Sequence, residues 1–156
     1  MAARVARIEL CQVSGRASLL DEGRVIDVER ASSGVFGADV MQALEHWDAF
    51  CAWAERVPRD EGAPLLDPRA LGPCVPRPSQ VFAIGLNYRG HAREAGLQEP
   101  AQPMVFTKFA SCLSGARASI PISSPKVDWE IELVVVIGKR MRAVRAERAL
   151  EHVAGY

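Results

Sequence analysis

Asp128-Trp129-Glu130-Ile131-Glu132-Leu133-Val134-Val135-Val136-Ile137 is the stretch that decides the fold class. In a strand, side chains alternate faces with a period of two. Asp128, Glu130 and Glu132 then point one way, and Trp129, Ile131 and Leu133 the other. The apolar run from Val134 to Ile137 reads as the strand entering a core covered on both faces. Val127–Ile137 is thus the strongest predicted strand of the chain. Carboxylates crowded on one half-buried face repel each other and lose hydration, so something positive must compensate. Alternate residues on a strand face lie about 7 Å apart at Cα, close enough for two carboxylates to lean onto one cation. Oxygen-only ligands favour Mg²⁺, Mn²⁺ or Ca²⁺ over Zn²⁺. The plainer reading is a solvated face with Lys or Arg partners on a neighbouring strand. Spacing alone leaves both open.

Upstream lies a second patterned region. Val81–Ile84 is a short apolar strand, followed at once by Gly85-Leu86-Asn87-Tyr88 and a two-turn helix, Arg89–Ala95, with Gly96 suited to end it. His91 and Glu94 stand three apart on that helix and share a side. A carboxylate beside an imidazole fixes its tautomer and raises its basicity, which suits a general base acting on water. A surface ion pair is the bland alternative. Met104–Phe109 and Ser119–Ile122 read as strands. Lys108 sits inside the first of them, either snorkelling from an edge or held to stabilise charge. Ala146–Val153 reads as a short helix, and His152 on it as structural or exposed. Gly85, Gly90 and Gly96 do not make a phosphate-binding fingerprint.

The N-terminal part is different. Residues 3–11 alternate apolar and charged and read as a strand. Ala17–Leu20 and Arg24–Val28 read as hairpin arms around the turn Asp21-Glu22-Gly23. Val40, Ala43, Leu44, Trp47, Phe50, Cys51 and Ala54 recur at helical spacing and share one face. His46 falls on the polar side. Residues 58–78 hold six of the ten prolines, a density that no regular helix or central strand survives. The predicted organisation is a small α+β segment over 1–57, a proline-rich linker over 58–78, and a second unit over 79–156.

Composition narrows the partners. The chain has 156 residues, and its 19 Lys plus Arg balance its 19 Asp plus Glu. A nucleic-acid binder that neutralises several phosphates carries a basic excess, so nucleic acid is not expected. No stretch reaches the roughly 18 apolar residues of a membrane span, and no membrane association is expected. Cys11, Cys51, Cys74 and Cys112 are too dispersed for a disulfide framework or a Cys-x-x-Cys site. They read as reduced thiols of a cytoplasmic protein.

Four strings taken in order resemble the fumarylacetoacetate hydrolase family: Gly85-Leu86-Asn87-Tyr88-Arg89-Gly90-His91-Ala92-Arg93-Glu94; Phe106-Thr107-Lys108; Asp128 through Lys139; and Val153-Ala154-Gly155-Tyr156. The Lys126-x-Asp-Trp-Glu-x-Glu-Leu form is most similar to the bacterial acylpyruvate and diketo-deoxy-sugar-acid hydrolases. The resemblance implies an α+β fold, a β-rich mixed β-roll incomplete at the C-terminus, behind a small N-terminal α+β segment. It implies a divalent metal, Mg²⁺ or Mn²⁺, held by Glu130 and Glu132. It makes His91 and Glu94 the water-activating pair and Lys108 a substrate or oxyanion partner. The implied reaction is hydrolysis of a carbon–carbon bond in a small 1,3-diketo (acylpyruvate-type) acid, with isomerisation or decarboxylation of 2-oxo acids as the alternative chemistry. A homodimer is implied for the complete protein. The family's third ligand, an aspartate, is expected beyond Tyr156, so the 156-residue chain is expected to be inactive or poorly soluble by itself. A non-catalytic fragment that pairs with a full-length homologue is the other reading.

Overall fold

The computed structural model describes residues 8–58 and 60–156. They fall into two compact units: one holds the described residues up to Cys74 together with Gly115–Tyr156, the other Val75–Ser114.

The first unit opens with a three-stranded antiparallel sheet, β1 (Leu10–Val13), β2 (Arg16–Asp21) and β3 (Arg24–Asp27), in that order. Both connections are two-residue turns. Ser14 and Gly15 have φ of 49° and 80°, and Glu22 and Gly23 have φ of 50° and 79°. Positive φ at both central positions matches the twist of the flanking strands. The second turn is the one expected around Gly23. It is tighter by one residue, because Asp21 still pairs with Arg24 in the ladder. Of the strand expected over residues 3–11, residues 1–7 lie outside the described residues, and β1 begins at Leu10.

Asp27 ends β3 and caps the next helix, α1 (Val28–Ala31), its carboxylate accepting from the Arg30 N–H at 3.0 Å. Arg16 on β2 donates to Asp27 at 2.7 Å and to Glu29 at 2.7 Å, tying hairpin to helix. The guanidinium of Arg16 holds the Asp27 carboxyl below its ordinary range. The Ser32 hydroxyl accepts from the Phe36 N–H at 3.0 Å and folds the following loop onto the core.

The helix expected from Val40 to Ala54 forms as two, α2 (Val40–Glu45) and α3 (Trp47–Ala54). His46 separates them with φ −116° and ψ 39°. The apolar face nevertheless goes where its spacing points. Val40, Ala43 and Phe50 are buried with Ala17, Leu19, Val28 and Phe36. Phe50 lies edge-on to Phe36 with centroids 5.3 Å apart, and stacks on Trp47 at 5.7 Å. The proline-rich stretch carries one 3₁₀ turn, Pro68–Ala70, with isolated bridges from Leu65 to Arg24 and from Leu71 to Val13.

The second unit is a hairpin with one helix. Strand β4 (Val81–Gly85) pairs antiparallel with β5 (Met104–Lys108), and α4 (Arg89–Glu94) lies between them in sequence. Gly96, at φ 67°, closes α4 as expected. The N–H of Leu97 reaches the Ala92 carbonyl at 2.8 Å and that of Gly96 the Arg93 carbonyl at 3.1 Å, a Schellman ending.

The C-terminal stretch of the first unit departs most from expectation. Only β6 (Val136–Ile137) of the strand predicted over Val127–Ile137 forms, paired with β7 (Val153–Gly155). Residues 119–122 belong to no helix or strand. The short helix expected near Ala146–Val153 is a 3₁₀ helix, Ala146–His152. A strand is a property of a pair, since each extended backbone needs a neighbour for its N–H and C=O groups. Among the described residues, only Val136–Ile137 finds such a neighbour in this stretch. The burial expected for the apolar run Val134–Ile137 fails with it: Val134 is 69% exposed and Ile137 48%. The architecture is α+β, with small sheets and few helices, as the sequence indicates.

Candidate functional site

Two groups of candidate residues are placed by different elements. His91 and Glu94 sit one turn apart on α4, both exposed, while Ala92 between them is fully buried and fixes which face of the helix is turned inward. The loop that launches α4 contains Leu86 at φ 52°. A branched side chain in the left-handed region is strained, and such strain gathers at functional loops. Nothing in a leucine signals positive φ, so the sequence does not announce this strain. Arg89, at the start of α4, pairs with Glu99 at 3.3 Å.

Lys108 is the last residue of β5, opposite Val81 in the register. It is exposed, and its Nζ lies 5.4 Å from the centroid of the Phe106 ring. Because the β4–β5 sheet has two strands, both are edges, and the ammonium group extends to solvent from one of them. His91, Glu94 and Lys108 thus belong to one compact unit.

Glu130 and Glu132 belong to the other. Both are exposed, in a segment without a strand ladder, so the common strand face predicted for Asp128, Glu130 and Glu132 does not form. Asp128 turns locally and accepts from the Trp129 N–H at 2.8 Å. Glu130 and Glu132 are hard oxygen donors of the kind a divalent cation takes. No group of three or more His, Cys, Asp or Glu residues able to hold a metal is gathered among the described residues.

A further group was not singled out from sequence. Residues 140–148 bring four arginines around one hollow, legible in the string Lys139-Arg140-Met141-Arg142-Ala143-Val144-Arg145 as a local basic excess. The cysteines are free, with Cys11 buried and Cys74 and Cys112 exposed. Burial pushes the Cys11 thiol up to about 11 and raises that of Cys51 as well. No helix of the described residues is long and apolar enough to cross a membrane.

Comparison with known proteins defines the class to which these elements belong. Residues 80–156 match the family described as fumarylacetoacetate (FAA) hydrolase C-terminal. The crystal structure of a Mycobacterium smegmatis protein described as HpcE superposes with a TM-score of 0.79 at 40% sequence identity, over 92% of this chain and 51% of that one. Through residues 80–156, then, the chain belongs to the fumarylacetoacetate hydrolase family. Among curated relatives, a mitochondrial oxaloacetate tautomerase of Bos taurus is 46% identical over 84 residues, 53% of this chain and 27% of that protein. A protein of Burkholderia ambifaria named as a hydrolase is 48% identical over 92 residues, 58% of this chain and 32% of its own length. The matched part spans about a third or less of these curated relatives. All five candidate residues, His91, Glu94, Lys108, Glu130 and Glu132, fall inside the family region.

Proposed function

We propose that this chain supplies the His91–Glu94, Lys108 and Glu130–Glu132 groups of a divalent-cation-dependent hydrolase that cleaves a carbon–carbon bond in small 1,3-diketo acids of the acylpyruvate type. The observation that carries the reading is the family match over residues 80–156, which contains every one of these side chains. His91 takes a proton from water, with Glu94 orienting its imidazole. The hydroxide adds to the carbonyl distal to the pyruvoyl end. The bond from that carbon to the methylene then breaks, and its electron pair passes to the methylene as the enolate of pyruvate. Protonation of that carbon gives pyruvate, and the distal fragment leaves as a carboxylic acid. Lys108 offers its ammonium to the oxyanion that forms on the attacked carbonyl. Mg²⁺ or Mn²⁺ held by Glu130 and Glu132 would act as the Lewis acid for the pyruvoyl oxygens. The unpaired cysteines fit the reducing environment of the cytoplasm.

A second reading keeps the site and changes the reaction. The Bos taurus relative is named as an oxaloacetate tautomerase, which favours proton transfer between enol and keto forms of a 2-oxo acid without bond cleavage. His91 would then move a proton to and from the carbon next to the carbonyl.

The test compares this chain with a chimera that joins it to the remaining part of the Mycobacterium smegmatis protein. Each is assayed with Mn²⁺ for pyruvate release from acetylpyruvate and for conversion of enol-oxaloacetate to the keto form. Pyruvate release that disappears in Glu130→Gln with Glu132→Gln supports the hydrolase. His91→Ala should lower turnover by roughly 10²–10⁴ with Mn²⁺ affinity nearly unchanged. Tautomerisation without pyruvate release selects the second reading. Full activity in the double glutamate variant removes the carboxylate pair from the mechanism.

A further inference from the structure

We propose that the segment Arg140–Arg148 forms a binding site for a small, multiply charged oxyanion, of the class of a phosphate group or a dicarboxylate. The pocket is a hollow of about 380 Å³, near the lower end of the range for small-molecule sites. Arg140, Arg142, Arg145 and Arg148 line it, with Met141 and His152. Ala143, at φ 50°, bends the backbone between the second and third of these arginines. All four arginines are exposed and stand within nine residues of chain, a local excess of positive charge that draws anions.

The protein's own carboxylates answer only some. Arg145 pairs with Glu147 at 3.4 Å, and Arg148 takes Glu151 through two nitrogens at 3.0 and 3.2 Å. Neighbouring Lys139 is engaged by Asp48 at 2.9 Å. Arg140 and Arg142 have no carboxylate partner among the described residues. A planar guanidinium fork donates in pairs to carboxylate or phosphate oxygens, so two uncommitted arginines two residues apart on the lining suit a doubly charged oxyanion better than a monoanion.

The experiment is equilibrium dialysis of the full chain against radiolabelled inorganic phosphate in one arm and malonate in the other. Protein and buffers are first freed of divalent cations on a chelating resin, so that no cation on Glu130 and Glu132 can recruit the anion. Dialysis reads binding whatever the association state of the protein. Saturable binding of one anion per chain, weakened about tenfold or more in Arg140→Gln with Arg142→Gln, is the expected result. The two arms show whether the tetrahedral or the dicarboxylate form fills the site. A control that removes the same charge elsewhere, Arg93→Gln with Arg117→Gln, should bind as the wild type does. Phosphate or malonate should also protect Arg140 and Arg142 from phenylglyoxal in the unmutated chain, read by peptide mass spectrometry. Non-saturable uptake in both arms, equal weakening in the control, or undiminished modification of both arginines would overturn the proposal.

Discussion

Trp129, Ile131 and Leu133 are 77%, 83% and 65% exposed, within five residues of chain followed by the apolar Val134 and Val135. Fully burying a large apolar side chain is worth about 1.5–3 kcal/mol. With most of each surface still in water, roughly 1–2 kcal/mol per side chain, or roughly 3–6 kcal/mol for the three, is ungained in an isolated chain. At about 1.4 kcal/mol per tenfold, that corresponds to roughly 10²–10⁴ in an association constant, before the entropy of association is subtracted. The formal net charge of zero sets no long-range repulsion against it. The chain should therefore self-associate through residues 129–135. Ile131→Asp removes one of the largest contributions and places a charge where burial would strip its hydration. It should raise the apparent dissociation constant about tenfold or more, by the same arithmetic. Val35→Asp should leave association unchanged, since Val35 is 75% exposed but lies outside this run. Sedimentation equilibrium over a wide range of loading concentrations makes the comparison. A wild-type chain that stays monomeric throughout, or an Ile131→Asp chain that associates as the wild type does, would refute the reasoning.

Phe50 is fully buried among Phe36, Trp47 and Trp53, so Phe50→Ala should lower stability by about 3–5 kcal/mol, read by urea denaturation. A loss well under 1 kcal/mol would mean that the aromatic cluster does not hold this unit together. The lowered carboxyl of Asp27 contributes stability that is fully present above its ordinary unfolded range near pH 4 and is lost as pH falls through its folded value. Asp27→Asn keeps an α1 cap but loses the Arg16 ion pair. It should flatten the decline of melting temperature below about pH 4, and an unchanged acid limb would exclude that pair as its source. With its thiol pushed up to about 11 by burial, Cys11 should react with a disulfide reagent at mildly alkaline pH far more slowly than exposed Cys74 and Cys112. Equal labelling rates would show that Cys11 is not enclosed.

What the sequence determined by itself is local or carried by ordered strings. Gly23 marked a hairpin because a two-residue turn needs positive φ, and Gly96 marked the end of α4 for the same reason. Ser14-Gly15 carries an equal signal. Periodicity over Val40–Ala54 named Val40, Ala43 and Phe50, which enter the core, and Trp47 and Ala54, which pack against it, since helical spacing fixes which residues share a face. The strings from Gly85 to Tyr156 placed the chain in its family, and the five candidate residues lie within the matched region. Tertiary structure alone decided the break at His46, which no proline or glycine announces. It also decided the fate of Val127–Ile137. Alternation there specifies a strand that could pair, but pairing depends on another segment, and here β7 meets only Val136 and Ile137. The convergence of four arginines on one hollow was likewise beyond spacing. Their charges are written in the sequence, and Arg145 and Arg148 meet Glu147 and Glu151 within three residues of chain, but the pairing of neighbouring Lys139 with Asp48 is set by the fold. Turns and helical faces depend on neighbours a few residues away, whereas ladders and charge pairing depend on groups that only the folded chain brings together.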